Sequence, residues 1–251
     1  MEEGLVSVVI PVYNAERFLK DTIKTLNDQT YTNWEAIFVN DCSKDNSVKI
    51  IEEEMKNNSR IKLINHEQNS GAAIARNTGT KNASGQYIAF LDADDLWNKE
   101  KLEKQLNFIK EKGCAFSFTG YEFANENGIG NGKVVHIPSQ MNYKQALKNT
   151  TIWTSTVMFD MKKIDKELIK MPDVKSEDSA TWWKILKNGY LAYGLNEVLS
   201  YYRRTAGTLS SNKLEAVRRI WNLYRNVENL NIFYSFYNFC FYAVNAVRRR
   251  V

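Results

Sequence analysis

An α/β fold with a mostly parallel central sheet flanked by helices is predicted by three observations. Four times before residue 91 a short apolar run meets a segment of helical spacing, and successive β-α units build a parallel sheet. The runs stop at polar clusters, so Pro11-Val12-Tyr13, Asn40-Asp41 and Asp92-Ala93-Asp94 would meet beyond the carboxyl ends of the strands, where ligands gather in such sheets. At 251 residues, 43% apolar and 25% charged, the chain can bury a sizeable core and reads as one elaborated domain.

The elements follow in order. Ser7 to Val12 is a β-branched run closed by Tyr13-Asn14, after which Phe18, Leu19, Thr22, Ile23 and Leu26 recur at helical spacing. Trp34 to Val39 is a second strand, and Val48, Ile50, Ile51 and Met55 mark a helix after the polar turn Ser43 to Asn46. Ile61 to Ile64 is a third strand. Gly71 to Ala83, rich in Ala with Arg76-Asn77 inside it, is helical, and Gly85 breaks the chain before the fourth strand. Lys99 to Ile109 is a further helix, Cys114 to Phe118 a strand, Asn125 to Gly132 a glycine-rich loop and Ile152 to Phe159 another buried strand. His136 lies in a Val-Val-His-Ile run and reads as a strand residue in preference to a base.

The fourth strand, Tyr87 to Leu91, ends abruptly in Asp92, Asp94 and Asp95. On an extended backbone alternation sends Asp92 and Asp94 to one side and Asp95 to the other, so the first two can share a Mg²⁺ or Mn²⁺ ion that one carboxylate would hold poorly. Taken alone, the triplet also fits an acidic turn in which Asp95 caps the following helix. The first turn, Pro-Val-Tyr-Asn-Ala-Glu, lacks a glycine-rich phosphate loop, which disfavours a simple dinucleotide fold and a metal-dependent nucleotidyl- or phosphotransferase.

Four segments, SVVIPVYN (Ser7 to Asn14), VNDCSKDNS (Val39 to Ser47), NSGAAIARNTG (Asn69 to Gly79) and GQYIAFLDADDLW (Gly85 to Trp97), resemble the motifs of family 2 glycosyltransferases and stand in family order. The resemblance implies the A-type glycosyltransferase fold, a Rossmann-like nucleotide-sugar domain, with inverting transfer from a nucleoside diphosphate sugar to an acceptor hydroxyl and a divalent metal on the diphosphate. It places Asp94 on the metal with Asp92 assisting or near the ribose, Asp41 on the base, and Pro11, Tyr13 and Arg76 in the donor site. The family usually has two acids after the second strand. Here Asn40 precedes Asp41, and since the second acid bonds the base, base recognition should survive. Uridine is the expected base.

Residues 1–97 then form the nucleotide-sugar-binding half and 98–212 the acceptor half of a catalytic domain, with 213–251 a C-terminal helical extension. Glu177-Asp178 opens a helical pattern bearing Trp182-Trp183; acids there serve as caps, and Ser176 can cap instead, but the resemblance makes Asp178 the general base. Arg203 and Arg204 either end a surface strand or reach the diphosphate from a mobile loop through Gly207 and Ser211, guanidinium pairing phosphate oxygens bidentately.

The formal charge of +5 is uneven: residues 201–251 hold nine Lys and Arg against two Glu, leaving the first 200 at about −2. Asn229 to Val247 carries no charge, and seven of its nineteen residues are Phe or Tyr. Asn231, Ser235, Asn238, Tyr242 and Asn245 make one polar stripe on a helix otherwise aromatic, and Arg248-Arg249-Arg250 follows. That pattern predicts docking on an anionic membrane surface; packing on the catalytic domain or on a second copy in a homodimer is the alternative. Three scattered cysteines predict reduced thiols and no zinc site, and the acidic start Met1-Glu2-Glu3 predicts no export signal, so the expected location is the cytoplasm, peripheral on the inner face of the cell membrane. No nucleic-acid partner is expected. The expected partners are a nucleoside diphosphate sugar and a glycan or lipid-linked glycan acceptor. A non-catalytic nucleotide-sugar-binding subunit is the remaining rival, and the intact acids Asp41, Asp92, Asp94 and Asp178 disfavour it.

Overall fold

The computed structural model describes residues 1–204 and 213–248. The chain runs β1 (Glu2–Val12), α1 (Glu16–Asn27), β2 (Trp34–Asn40), α2 (Ser47–Met55), β3 (Ile61–Asn65), α3 (Ala72–Asn82), β4 (Gly85–Phe90), β5 (Leu96–Trp97) and α4 (Lys101–Lys112). It continues through β6 (Phe116–Ala124), β7 (Gly130–Val135), β8 (Gln140–Met141), α5 (Tyr143–Ala146), a 3₁₀ turn (Thr154–Thr156), β9 (Met158–Asp160), α6 (Glu177–Lys187) and β10 (Ala192–Arg203). The end is helical: α7 (Lys213–Asn222), a π-helical turn (Leu223–Val227) and α8 (Ile232–Arg248).

Ten strands form one sheet in the order β3-β2-β1-β4-β9-β6-β10-β5, with β7 on β6 and β8 on β10. The pairs β1–β2, β2–β3, β1–β4 and β6–β10 are parallel, β9 is inserted antiparallel between β4 and β6, and β5, β7 and β8 also pair antiparallel. After β1 the chain first adds β2 and β3 on one side, then returns to add β4 on the other. The order therefore reverses between β1 and β4, where open α/β sheets leave a crevice at the strand ends.

Both faces are buried, which is why the strands read as continuous apolar runs. Val6, Val8, Ile10 and Val12 of β1 pack with Leu19, Ile23 and Leu26 of α1 and Leu102, Leu106 and Ile109 of α4. On the opposite face Val9 joins Ile88, Phe90, Phe116, Trp182 and Trp183, and Leu223 and Tyr224 extend the same cluster. Helix α3 approaches the sheet closely because residue 79 is glycine: a Cβ there would lie 2.4 Å from Val9 Cγ1 and 3.3 Å from Val39 Cγ2.

Two expectations change. Ile152 to Phe159 is not one strand, because Thr156 Oγ1 bonds Trp153 O at 2.6 Å and turns the chain into the 3₁₀ segment, leaving only Met158–Asp160 extended. The polar stripe of the tail turns to the protein, not to solvent, at Ser235 and Asn238: both are fully buried, Ser235 Oγ donating to Asn231 O (2.8 Å) and Asn238 Nδ2 to Tyr234 O (2.7 Å) while Asn238 Oδ1 has no partner among the described residues, and Asn245 Nδ2 donates to Lys148 O at 3.0 Å. The exposed face of α8 is the apolar one, with Phe233 85% and Phe236 61% exposed. No described helix is long and apolar enough to cross a membrane. Arg249 and Arg250, like Gly207 and Ser211 of the expected mobile loop, lie outside the described residues.

Gly79→Ala should destabilise the fold by about 1–3 kcal/mol through overpacking of α3 on β1 and β2. Urea unfolding would show this as a lower midpoint at unchanged slope, and a midpoint equal to the parent's would mean that α3 shifts without strain.

Candidate active site

A cleft of about 370 Å³ opens where the strand order reverses, between the carboxyl ends of β1 and β4. Pro11, Tyr13, Asp41, Arg76, Asp92 and Asp94 all line it, so six residues expected at the donor site from four separate segments come together.

Asp41, one residue past β2, is buried against the start of α3. Its Oδ1 accepts from Ser70 N at 2.8 Å and lies 2.9 Å from His66 Nδ1, while Oδ2 accepts from Gly71 N at 2.7 Å. Gly71 has φ +86°, a conformation that costs an L side chain and that aims its N–H at the carboxylate. An ionised carboxylate only accepts, so His66 carries its proton on Nδ1, and Nε2 lies 3.0 Å from Thr78 Oγ1. Burial pushes the Asp41 acid up, but the bonds from His66, Ser70 and Gly71 outweigh it and hold the group below its usual value. His66 is a site residue that composition and motif did not single out; its place just beyond β3, at the ligand-bearing end of the sheet, is the signal for it.

The acidic turn after β4 is held from below. Thr22 Oγ1 donates to Ala93 O (2.9 Å) and Asp95 O (3.0 Å), and Ser155 Oγ accepts from Asp92 N at 3.1 Å while donating to Asp95 Oδ2 at 2.6 Å. Asp95 does not cap α4. It is buried, also accepts from Arg203 N at 3.3 Å, and burial with the neighbouring Asp94 and Asp92 charges raises its pKa well above the usual range. Asp92 and Asp94 face the cleft.

Arg76, buried on α3, donates from Nη2 to Asp92 Oδ1 at 2.6 Å and from Nη1 to Glu177 Oε1 at 2.7 Å. Burial disfavours its charge, but the Asp92 and Glu177 carboxylates more than restore it and the guanidinium stays protonated. Asp94 has no hydrogen bond or ion pair to another described residue. Burial, then the Asp92 charge, pushes it up to about 6. A partly desolvated carboxylate without a partner beside a second one is a hard-oxygen donor set that suits a small divalent cation. Among the described residues there is no cluster of three acidic, histidine or cysteine ligands, so further ligands would come from water or a bound diphosphate.

Asp178, in the first turn of α6, follows Ser176, whose φ of +62° is strained for a residue with a Cβ. Ser176 makes no capping bond; Asp178 Oδ1 instead accepts from Ser179 N at 2.6 Å. Burial, then the Glu177 charge, pushes Asp178 up to about 6 against the pull of Ser179 N–H and Arg76. It lines a second cavity of about 220 Å³, which Arg204 also lines.

Arg203 departs from its expected place. It ends β10 with its side chain buried, Nη2 bonding Asp21 Oδ2 at 3.1 Å and the guanidinium 4.7 Å from the Phe18 ring, so it supports the floor of the site and does not reach the cleft from a loop. Arg204 faces the second cavity, not the first.

Asp178→Asn should raise stability at pH 7–8 by about 1–2 kcal/mol, pocket water screening part of the ~3 kcal/mol that two pK units represent. An acid whose folded pKa is raised loses stability as pH climbs from about 4, its unfolded value, through about 6, so the variant's advantage should vanish below pH 4. Urea unfolding at pH 4 and pH 8 checks this, and equal stabilities at pH 8 would mean that the carboxylate is not desolvated.

The pattern defining the Glycosyl transferase family 2 matches residues 7–170. A glycosyltransferase named for teichuronic acid biosynthesis, TuaG of Bacillus subtilis (strain 168), is 44% identical over 248 residues, 98% of each chain. The UDP-Glc:alpha-D-GlcNAc-diphosphoundecaprenol beta-1,3-glucosyltransferase WfgD of Escherichia coli is 39% identical over 225 residues, 89% of this chain and 86% of that one. Among solved structures, the mannosyltransferase PcManGT of Pyrobaculum calidifontis, in complex with GDP-Man and Mn²⁺, superposes with a TM-score of 0.71 at 16% identity, covering 97% of this chain and 74% of that one. S. aureus TarS 1-349 with UDP-GlcNAc gives 0.68 at 23% identity, covering 96% and 71%. The order of the site motifs, the reversal in the sheet and these matches converge: the chain belongs to glycosyl transferase family 2 and has the A-type glycosyltransferase fold.

Proposed function

We propose that this protein moves one sugar, with inversion, from a uridine diphosphate sugar to a hydroxyl of a lipid-linked, growing surface glycan, in the cytoplasm at the inner face of the membrane. The observation that carries the reading is the pairing of two cavities across two ion pairs that share Arg76. Asp92 and Arg76 line the first, Asp178 lines the second, and Arg76 joins them through Glu177. The relatives named for teichuronic acid and for a diphosphoundecaprenol acceptor support the substrate classes. Residues 1–97 serve as the donor half and 98–212 as the acceptor half.

In this reading Pro11 and Tyr13 flank the nucleoside and Asp41 Oδ2, which accepts one N–H, has lone-pair capacity left for the base's ring N–H. Asp94, with Asp92, would hold Mg²⁺ or Mn²⁺, which supplies electrostatic stabilisation of the departing diphosphate. Asp178 takes the proton of the acceptor hydroxyl as its oxygen bonds the anomeric carbon; the carbon–oxygen bond to the diphosphate breaks, and its electron pair leaves on the phosphate oxygen. An acid at about 6 is ionised at neutral pH yet basic enough for this step.

Asp94→Ala should abolish Mn²⁺-dependent binding of UDP in calorimetry, whereas Asp178→Asn should keep that affinity and lose turnover by roughly 10²–10⁴. Activity of the parent should fall as pH drops through about 6, where Asp178 takes a proton. Full metal-dependent binding by folded Asp94→Ala, or near-parental turnover by Asp178→Asn, would remove the corresponding role.

The exposed apolar face of α8 is proposed to lie on an anionic leaflet. Ile232, Phe233, Phe236, Tyr237, Phe241 and Val244 share that face, and Lys148 stands 4.6 Å from the Tyr237 ring and 4.9 Å from the Phe241 ring. The Arg248-Arg249-Arg250 sequence adds roughly 1 kcal/mol per charge near such a surface. Phe233→Ser combined with Phe236→Ser should lose vesicle flotation without unfolding, and the parent's flotation should weaken when salt rises from about 0.1 M to about 1 M as the Debye length contracts. Equal flotation by variant and parent, or none by the parent, would assign this face to protein contact.

A further inference from the structure

The second cavity has a composition that sugar transfer in general does not require. It lies between the ends of β6 and β10, the segment leading into the 3₁₀ turn, the start of α6 and the inner face of α8, with Asp178 in its wall. Its other walls are aromatic. The rings of Trp153 and Tyr202 are 4.5 Å apart, Tyr202 is 5.6 Å from Phe123, and Trp153 is 5.2 Å from Tyr121. Tyr121 and Phe123 are buried behind, while Trp153 and Tyr202 are only half-buried. Such a wall offers flat apolar faces beside a proton acceptor, a surface complementary to the C–H face of a pyranose ring with its hydroxyls turned to the carboxylate.

Arg204 adds a cation. Its guanidinium lies 3.9 Å over the Phe123 ring, and no carboxylate pairs with it among the described residues. A guanidinium stacked by its face keeps its in-plane N–H groups available, and that fork matches phosphate oxygens. The remaining wall is α8, through Tyr242 and Ala246, whose opposite face is the exposed apolar one. One helix thus closes the cavity on one side and presents a lipid-compatible surface on the other.

From these features we infer that the second cavity is the acceptor subsite and that it takes a glycosyl diphosphate carried on a lipid chain. The terminal sugar lies on Trp153 and Tyr202 with a hydroxyl toward Asp178, Arg204 receives a phosphate oxygen, and the chain leaves over α8. Arg204 then acts on the acceptor's phosphate and not on the donor's. The inference rests on the sugar-transfer reading and is separable from it by experiment.

The test is calorimetry of the full chain with UDP and Mn²⁺ present, using N-acetylglucosamine joined through a diphosphate to a short alkyl chain, and the alkyl glycoside lacking the diphosphate. The parent should bind the diphosphate probe more tightly than the glycoside. Trp153→Ala should weaken both by tenfold or more; Arg204→Ala should lower the diphosphate probe to the level of the glycoside, with Arg204→Lys recovering part of the difference. Ala246→Trp, which fills the cavity from α8, should repeat the loss without removing any aromatic residue, and UDP affinity should stay unchanged in every variant. If the parent binds UDP but not the probe, or the variants bind the probe as the parent does, the subsite is wrong and the donor reading stands. If the parent does not bind UDP, both fall.

Discussion

The site depends on one buried cation. Asp92, Asp94, Asp95, Glu177 and Asp178 bring five carboxyl groups to the junction of two cavities, and Arg76 is ion-paired with two of them. Removing a buried partner from such a cluster leaves uncompensated charge worth several kcal/mol, so the guanidinium is a condition for the acids to coexist. Its distribution of contacts also sorts them. Asp92 and Glu177 are ion-paired with it directly; Asp94 and Asp178 are not, and these two are pushed up to about 6. These two acids, outside those ion pairs, are the ones to which the proposed function gives the divalent ion and the proton.

Much of this arrangement is legible in the sequence because it follows local rules. Strand-length apolar runs ending in polar residues locate Pro11, Tyr13, Asp41, Asp92 and Asp94 at one edge, and the topology of a parallel sheet does the rest. What escapes is set by partners far along the chain. Arg203 finds Asp21 across 182 positions, and Asp95 finds Ser155 across 60, so neither burial shows in its own neighbourhood. Ile152 to Phe159 has strand composition, but the Thr156 hydroxyl bonds the backbone three residues back and turns it. For α8 the spacing reveals a polar stripe without saying on which side the protein lies.

The orientation of α8 inverts the ordinary amphipathic arrangement. Ser235 and Asn238 can be buried because the hydroxyl and the amide N–H each return to a carbonyl four residues back, which leaves Asn238 Oδ1 as the buried atom of that pair without a partner among the described residues. The aromatic residues are then left outside by default. An exposed apolar face of this kind marks an interaction surface, and the same helix contributes two residues to the cavity containing Asp178, so that surface and a wall of the cavity belong to one element.

Helix α3 has a metrical consequence. Gly71 at its start holds Asp41, and Arg76 on its body holds Asp92, so the two acids that the proposed function sets at the base end and the phosphate end are both pinned to one rigid rod. Five residues of α-helix rise about 7.5 Å, a length set by backbone hydrogen bonding and not by side-chain adjustment. Gly79 seats that rod on Val9 and Val39 with no slack. The helix is therefore a gauge: it fixes the distance between the two acid anchors to within the stiffness of a helix, and in the proposed function a ligand whose base and phosphates are spaced differently would engage one anchor at the expense of the other, irrespective of the sugar it carries.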